Sequence, residues 1–175
     1  WVRSTVNGSL LHIKDNYKRL IDSDICEIQV SIDGARKDTY ERIRKGAKYG
    51  MVTRNCELLN HYAEEVGRLR TRMWVVVQRE NFSELEELPT LAYNLGFKRL
   101  TFALNLADWG QETWKKRNDP VDMHRYLPPD RAQTLIRLGD NLGVETTFWY
   151  IDEKYKPAQP EKVCPWPFER AYLSS

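Results

Sequence analysis

Apolar and polar positions change their period at regular intervals along the chain, and the changes predict alternating strands and helices. Val2–Thr5 is a short β-branched run that stops at Asn7-Gly8, a turn pair. A helical stretch is predicted over Ile13–Ile21. Cys26–Ile32 alternates apolar and polar residues, the period of a strand, and ends at Asp33-Gly34. Asp38–Lys45 reads as a short helix, and Val52, Cys56, Leu59, Ala63 and Val66 then recur at helical spacing. Met73–Val77 is a continuous apolar run, which predicts a strand covered on both faces. Ser83 is expected to cap a helix, with Glu86 at the capping-box position, and Pro89 to break or restart it. Gly96 supplies a stop before a strand over Leu100–Leu106. Asp108–Pro129 reads as irregular. A helix over Asp130–Leu142 ends at Gly143, and Val144–Ile151 is a fifth strand. The tail from Asp152 carries Pro157, Pro160, Pro165 and Pro167 and reads as irregular structure leaving the domain.

Five strands separated by helices predict parallel βαβ units with right-handed crossovers: one sheet in sequential order, curved like part of a barrel, with helices outside. Such sheets carry their chemistry at the C-terminal ends of the strands. That directs attention to Thr5–Gly8, Ser31–Gly34, Gln78–Asn81, Asn105–Trp109 and Tyr150–Glu153. The length of 175 residues suits one domain, and 41% apolar with 30% charged residues is a globular composition. Lys+Arg 27 against Asp+Glu 25 leaves a net charge of +2, which argues against a dedicated nucleic-acid or membrane-surface binder. No apolar run approaches the roughly 18–20 residues that span a bilayer. The first residues, which lack an initiator Met and the basic and apolar regions of a signal peptide, are expected to start inside a domain.

Cys26, Cys56 and Cys164 are too few and too far apart for a disulfide framework, and their odd count points to reduced thiols in a cytoplasm. Cys26 and Cys56 fall on core stripes and read as buried small hydrophobes. His12, His61 and His124 form no cluster and read as surface or loop residues.

Candidate chemistry concentrates at two turns. Ser31 and Asp33 present a hydroxyl and a carboxylate at one rim, groups suited to the hydroxyls or ammonium of a nucleotide-like amino acid. Gly34 provides a tight turn and space for a ligand. Arg44 offers a fork matched to a carboxylate. Asn7 and Gly8 would expose backbone groups towards the same cavity. The simpler alternatives are that Asp33 caps the next element and that Arg44 pairs with Glu41 or Asp38 on a solvated helix face. The long, Trp-rich segment Asp108–Pro129 exceeds the usual connection of about 2–6 residues. It reads either as a lid or recognition element or as a partner-docking insertion.

The run Ser31-Ile32-Asp33-Gly34, followed by Thr39-Tyr40 and Ile43-Arg44-Lys45-Gly46, resembles the radical S-adenosylmethionine (SAM) superfamily in its SPASM-containing branch. There the fourth barrel strand ends in a similar Ser-x-Asp-Gly. Thr5-Val6-Asn7-Gly8 looks like the turn after the third strand, with Val6 intervening. Asn55, Leu58 and Leu59 match the helix after the fourth strand, and Val77–Asn81 with Glu84-Leu85 match the fifth strand and its exit. Cys164-Pro165-Trp166-Pro167-Phe168 looks like the opening of the SPASM extension. The family's Cys-x3-Cys-x2-Cys loop and its first two strands are not in this sequence, nor are the later SPASM cysteines.

The resemblance implies a partial (βα) barrel of the radical SAM type, an α/β fold truncated at the N-terminus. Residues 1–152 would be strands three onward, and 153–175 a linker and the start of a SPASM-like extension. It implies SAM and a 4Fe–4S cluster as cofactors of the intact enzyme. SAM would be contacted by Thr5, Asn7, Gly8, Ser31, Asp33, Gly34 and Arg44, the last on the methionyl carboxylate. Cys164 would ligate an auxiliary iron–sulfur cluster, only with residues beyond this chain. No catalytic residue is assigned. The implied activity is formation of a 5′-deoxyadenosyl radical and hydrogen abstraction from a peptide or small-molecule substrate. The isolated chain, lacking the cluster loop, is expected to be inactive. It is expected to pair through its exposed sheet edge with the rest of a radical SAM chain or a neighbouring copy. Two alternatives are a non-catalytic truncated binding or scaffold domain and a TIM-type barrel fragment binding a phosphorylated metabolite. Against the latter, no Gly-rich phosphate loop is visible.

Overall fold

Residues 2–104, 106, 111–123 and 126–149 are described by a computed structural model. The β-rich runs form strands β1 (Arg3–Val6), β2 (Glu27–Ser31), β3 (Thr71–Val76), β4 (Arg99–Ala103) and β5 (Glu145–Trp149). They pair in sequential order, every pair parallel. The sheet is the five-stranded α/β arrangement that the alternation of periods predicts. The connections carry helices α1 (Asn16–Asp22), α2 (Lys37–Ile43), α3 (Tyr49–Glu65), α4 (Leu88–Asn94), α5 (Glu112–Asn118) and α6 (Pro129–Leu142).

The two faces of the sheet differ in chemistry because side chains alternate along each strand. On one face Ile28, Val30, Met73, Val75, Leu100 and Phe102 are fully buried, in one core with Val52, Cys56, Leu59 and Ala63 of α3, Leu88 and Ala92 of α4, and Leu135 of α6. The opposite positions hold Thr5, Gln29, Arg72, Trp74, Thr101, Thr147 and Trp149. This second face corrects the reading of Met73–Val77 as covered on both sides: burial alternates along β3, with Trp74 and Val76 only partly covered. Polar and aromatic side chains line that face, and the helical core lies against the other.

Three further expectations change. Ser83 does not cap a helix, and Glu86 does not complete a capping box. Residues Phe82–Glu87 form a 3₁₀ stretch whose N-cap is Asn81, with no side-chain cap bond. The segment expected to be irregular from Asp108 to Pro129 contains α5. Cys26 is exposed rather than buried, its sulfur accepting the Val2 N–H at 3.3 Å, whereas Cys56 is fully buried. Helix α6 ends as expected at Gly143, whose φ of +70° lets its N–H turn back to the Asp140 carbonyl. The tail from Asp152, with Cys164, lies outside the described residues. Among the described residues, no helix is long and apolar enough to cross a membrane.

Glu86 instead ties the 3₁₀ stretch to α6. Its carboxylate accepts from Arg131 Nε at 2.6 Å and Nη2 at 2.8 Å. The same guanidinium lies 4.4 Å over the Phe82 ring. The Arg131 bonds hold the Glu86 carboxyl below its ordinary 4.5. A carboxyl depressed in the folded state contributes stability above the unfolded value, and that contribution is lost as pH falls through the folded one. At this half-exposed site it amounts to no more than about 1 kcal/mol. An NMR titration should show the Glu86 carboxyl depressed in the wild type and returned to its ordinary value in Arg131→Gln. A midpoint unchanged by the substitution would refute the attribution.

Candidate functional site

The chain leaves β2 through Ile32-Asp33-Gly34, and this tip is fastened from several directions. Asp33 is 4% exposed. Its Oδ1 accepts the Val76 N–H at 2.8 Å, and its Oδ2 pairs with Arg44 Nη2 at 2.6 Å. Asn81 donates its amide to the carbonyls of Asp33 and Val76, both at 2.8 Å, and takes the Gln78 N–H at 2.9 Å. Beyond Gly34, the Arg36 N–H donates to buried Glu84 at 2.8 Å, Tyr49 donates its hydroxyl to the Ala35 carbonyl at 2.7 Å, and the Arg36 guanidinium forks onto Glu87. Burial pushes the Asp33 carboxyl above its ordinary value, more than the Arg44 guanidinium and the Val76 N–H pull it down.

Gly34 is required by packing. A Cβ there would lie 2.5 Å from the Tyr40 nitrogen and 2.8 Å from its Cα, both backbone atoms at the start of α2. The space read from the sequence as room for a ligand is therefore filled by the next helix. Tyr40 is fully buried, and burial lifts its phenol to about 12, with Arg44 opposing. The Tyr40 hydroxyl and Arg44 Nε are buried and have no hydrogen-bond partner among the described residues.

The β1 exit is held by a residue on α3. Asn55, 2% exposed, donates its amide to the carbonyls of Gly8 at 2.7 Å and Ser9 at 3.2 Å. Gly8 adopts φ +75° and packs against Val30 and Val52. Asn7 Oδ1 accepts the Ser9 N–H at 3.0 Å, an Asx turn that occupies its carbonyl oxygen. Thr5, Asn7 and Gly8 line a cavity of about 540 Å³ between β1 and α1, together with Leu10, Leu20 and Ile25.

The residues singled out from the sequence thus fall into two groups. Asp33, Gly34 and Arg44 form a locked tip on β2, with Arg44 on Asp33 rather than on Glu41 or Asp38. Thr5, Asn7 and Gly8 border the cavity at the sheet edge. Ser31 lies on the polar face, at the alternate position to Gln29, and on that face Thr5 bonds Gln29 at 3.1 Å.

Sequence reasoning missed the main electrostatic feature. Glu27, 4% exposed, is reached by Arg3 at 2.8 Å, Arg72 at 3.0 Å and Arg99 at 3.6 Å, and by the Gln29 amide at 3.1 Å. Arg72 extends further to Thr101 at 2.8 Å and Thr147 at 3.2 Å. Above this network Trp74 and Trp149 meet edge to face at 5.4 Å. The available signal was the period-2 placement of Glu27, Gln29 and Arg72 on strands, polar residues at positions that a sheet buries.

Arg44 retains an unpartnered buried Nε, and Ser31 opens onto the polar face. These groups fit the amino-acid portion of SAM. An iron–sulfur cluster has no such fit here. Among the described residues no three His, Cys, Asp or Glu side chains could hold a metal together, and burial lifts the Cys56 thiol to about 12, where it stays protonated.

Curated proteins similar to this chain are named as maturases. The mycofactocin maturase MftC of Mycolicibacterium smegmatis is 25% identical over 133 residues, 76% of this chain and 32% of its own length. MftC of Mycobacterium tuberculosis is 27% identical over 133 residues, with the same shares. MftC of Mycobacterium ulcerans is 28% identical over 98 residues, 56% of this chain and 26% of its own length. The chain thus spans about a third of the length of the curated relatives it matches. No family model matches it. The parallel sheet with its Ser-x-Asp-Gly strand tip and the similarity to these maturases support membership of the radical SAM superfamily.

Proposed function

We propose that the chain forms the central part of a radical SAM enzyme of the SPASM type, with residues 1–152 as barrel and 153–175 as linker and start of the extension. Its substrate would be a peptide or a small molecule. The observation that carries the reading is the β2 tip, where Asp33, Asn81, Glu84 and Glu87 fix a loop at the C-terminal end of a parallel strand. A rim immobilised in this way is suited to catalysis, because a bound molecule meets groups already in place. SAM, when bound and reduced, supplies a 5′-deoxyadenosyl radical for hydrogen abstraction. The protein's part is orientation. Arg44 offers its remaining donors to a carboxylate while Asp33 fixes the guanidinium. Ser31 presents a hydroxyl from the polar face, and the Asn7-Gly8 turn borders the edge cavity. Cluster ligands are assigned to none of the described residues, and Cys164 is proposed as an auxiliary-cluster ligand alongside residues outside this sequence.

Titration of the full-length protein with SAM, wild type against Arg44→Ala, tests the reading. Loss of a charge-assisted contact should weaken binding by about 1.5–3 kcal/mol. Circular dichroism should show the variant folded. Equal affinities would reduce Arg44 to a fastener of the loop and withdraw it from the cofactor site.

A further inference from the structure

Helix α5 differs from the other helices in contributing no buried residue. It lies in the connection that leaves the C-terminal end of β4, so it belongs to the rim where barrels of this kind receive their ligands. Its sequence places Trp114, 44% exposed, ahead of Lys115, Lys116 and Arg117. Among the described residues, none of these three cations has an ion pair or a side-chain hydrogen bond, even though Glu112 and Asp119 stand at helical spacing from them. At 100° per residue Arg117 lies 60° from Trp114 on the helix wheel and Lys115 lies 100° away on its other side, so the indole is flanked by cations. The structure adds a fourth. Gln78 and Asp122 form an antiparallel bridge, and the Arg79 N–H donates to the Val121 carbonyl at 2.8 Å. This brings exposed Arg79, from the β3 exit, to the segment that follows α5.

Cations in a last turn complement the helix dipole, but that does not account for the exposed indole or for Arg79. The choice of occupant follows from charge and size. A chain carrying a net charge of only +2 lacks the footprint of a nucleic-acid binder. A seven-residue helix with one large apolar side chain lacks the continuous apolar face that holds a helix in a lipid interface. A short acidic segment with an apolar side chain matches both the unpaired cations and the indole. We propose that α5 and Arg79 form a docking rim for an acidic stretch of a peptide substrate. This rests on the reading of the protein as an enzyme acting on a peptide.

The test is fluorescence anisotropy with the full chain and three probes: a labelled Glu/Leu peptide, its Gln/Leu counterpart, and a labelled oligo-dT. Sedimentation with phosphatidylserine vesicles covers lipid. The Glu/Leu peptide should bind preferentially and weaken as salt rises from about 0.05 to about 0.3 M. The variant Lys115→Glu/Lys116→Glu/Arg117→Glu should lose roughly tenfold or more in affinity, the sum of several exposed pairs. Its circular dichroism should be unchanged, because α5 buries nothing. Trp114→Ala should also weaken binding while leaving the salt dependence intact. Equal binding of the Gln/Leu peptide, equal binding by the charge-reversed variant, or preference for oligo-dT or vesicles would each overturn the proposal. The titration needs no SAM, cluster or reductant. Its failure alongside retained SAM binding would remove the docking rim alone and leave the enzymatic reading standing.

Discussion

Replacing Glu27 with alanine is expected to destabilise the fold by about 3–5 kcal/mol, because it removes the buried carboxylate that Arg3, Arg72 and Arg99 share. The surviving guanidinium groups of Arg3, Arg72 and Arg99 would face one another across a partly dehydrated surface. Their mutual repulsion adds to the loss of four polar contacts. Glu87→Ala provides the contrast, since Glu87 is 44% exposed in its pair with solvent-exposed Arg36 and its loss should cost far less. Urea denaturation of both variants, read at two wavelengths to check the two-state assumption, gives the comparison. Equal and small losses would mean that water screens the Glu27 cluster as it does the surface pair.

Gly34→Ala is expected to cost about 3 kcal/mol, at the upper end for inserting a methyl group into a packed site. The obstacle is backbone. The Tyr40 nitrogen that the methyl would strike is itself bonded to the Arg36 carbonyl at 2.9 Å, so relief requires moving the start of α2. Gly143→Ala separates packing from conformation. Nothing lies within 4 Å of its added carbon, but φ is +70°, and the left-handed backbone alone should cost about 1–2 kcal/mol. Should the two variants unfold at the same denaturant concentration, the close approach of α2 to Gly34 would be wrong. Gly34→Ala should also disturb Arg44, since both ends of α2 are fixed to the β2 tip.

Much of the scaffold could be read locally. The β-branched and apolar runs, the helical stripe on α3 and the stop at Gly143 are set by near neighbours, and the parallel order follows from their alternation. The relations that shape the site are not local. Arg44 was within helical reach of Glu41 and Asp38, yet α2 ends at Ile43, and Arg44 is its C-cap at φ −104°, ψ 76°. Its side chain therefore leaves the helix surface and returns to Asp33. Asn81 stands at the N-cap of the 3₁₀ stretch in place of Ser83, with its amide committed to two strand ends. The Glu27 cluster joins four strands, and no window of sequence contains it. Gly34 is required for a reason visible only with α2 in place, the close approach of the Tyr40 backbone.

The order of the strands bears on how the protein emerges from a ribosome. Each strand pairs with the one before it, so every newly made βα unit meets an edge already formed. Pairing β2 to β1, β3 to β2 and onward never requires a strand to wait for a distant partner still to be synthesised. Domains made N-terminus first at about 5–20 residues per second give each unit seconds to settle before the next arrives. Vectorial synthesis and sheet growth then run in the same direction. The interval in which the leading edge of β1, β2 or β3 stays unpaired and open to other nascent chains is limited to the translation time of one βα unit.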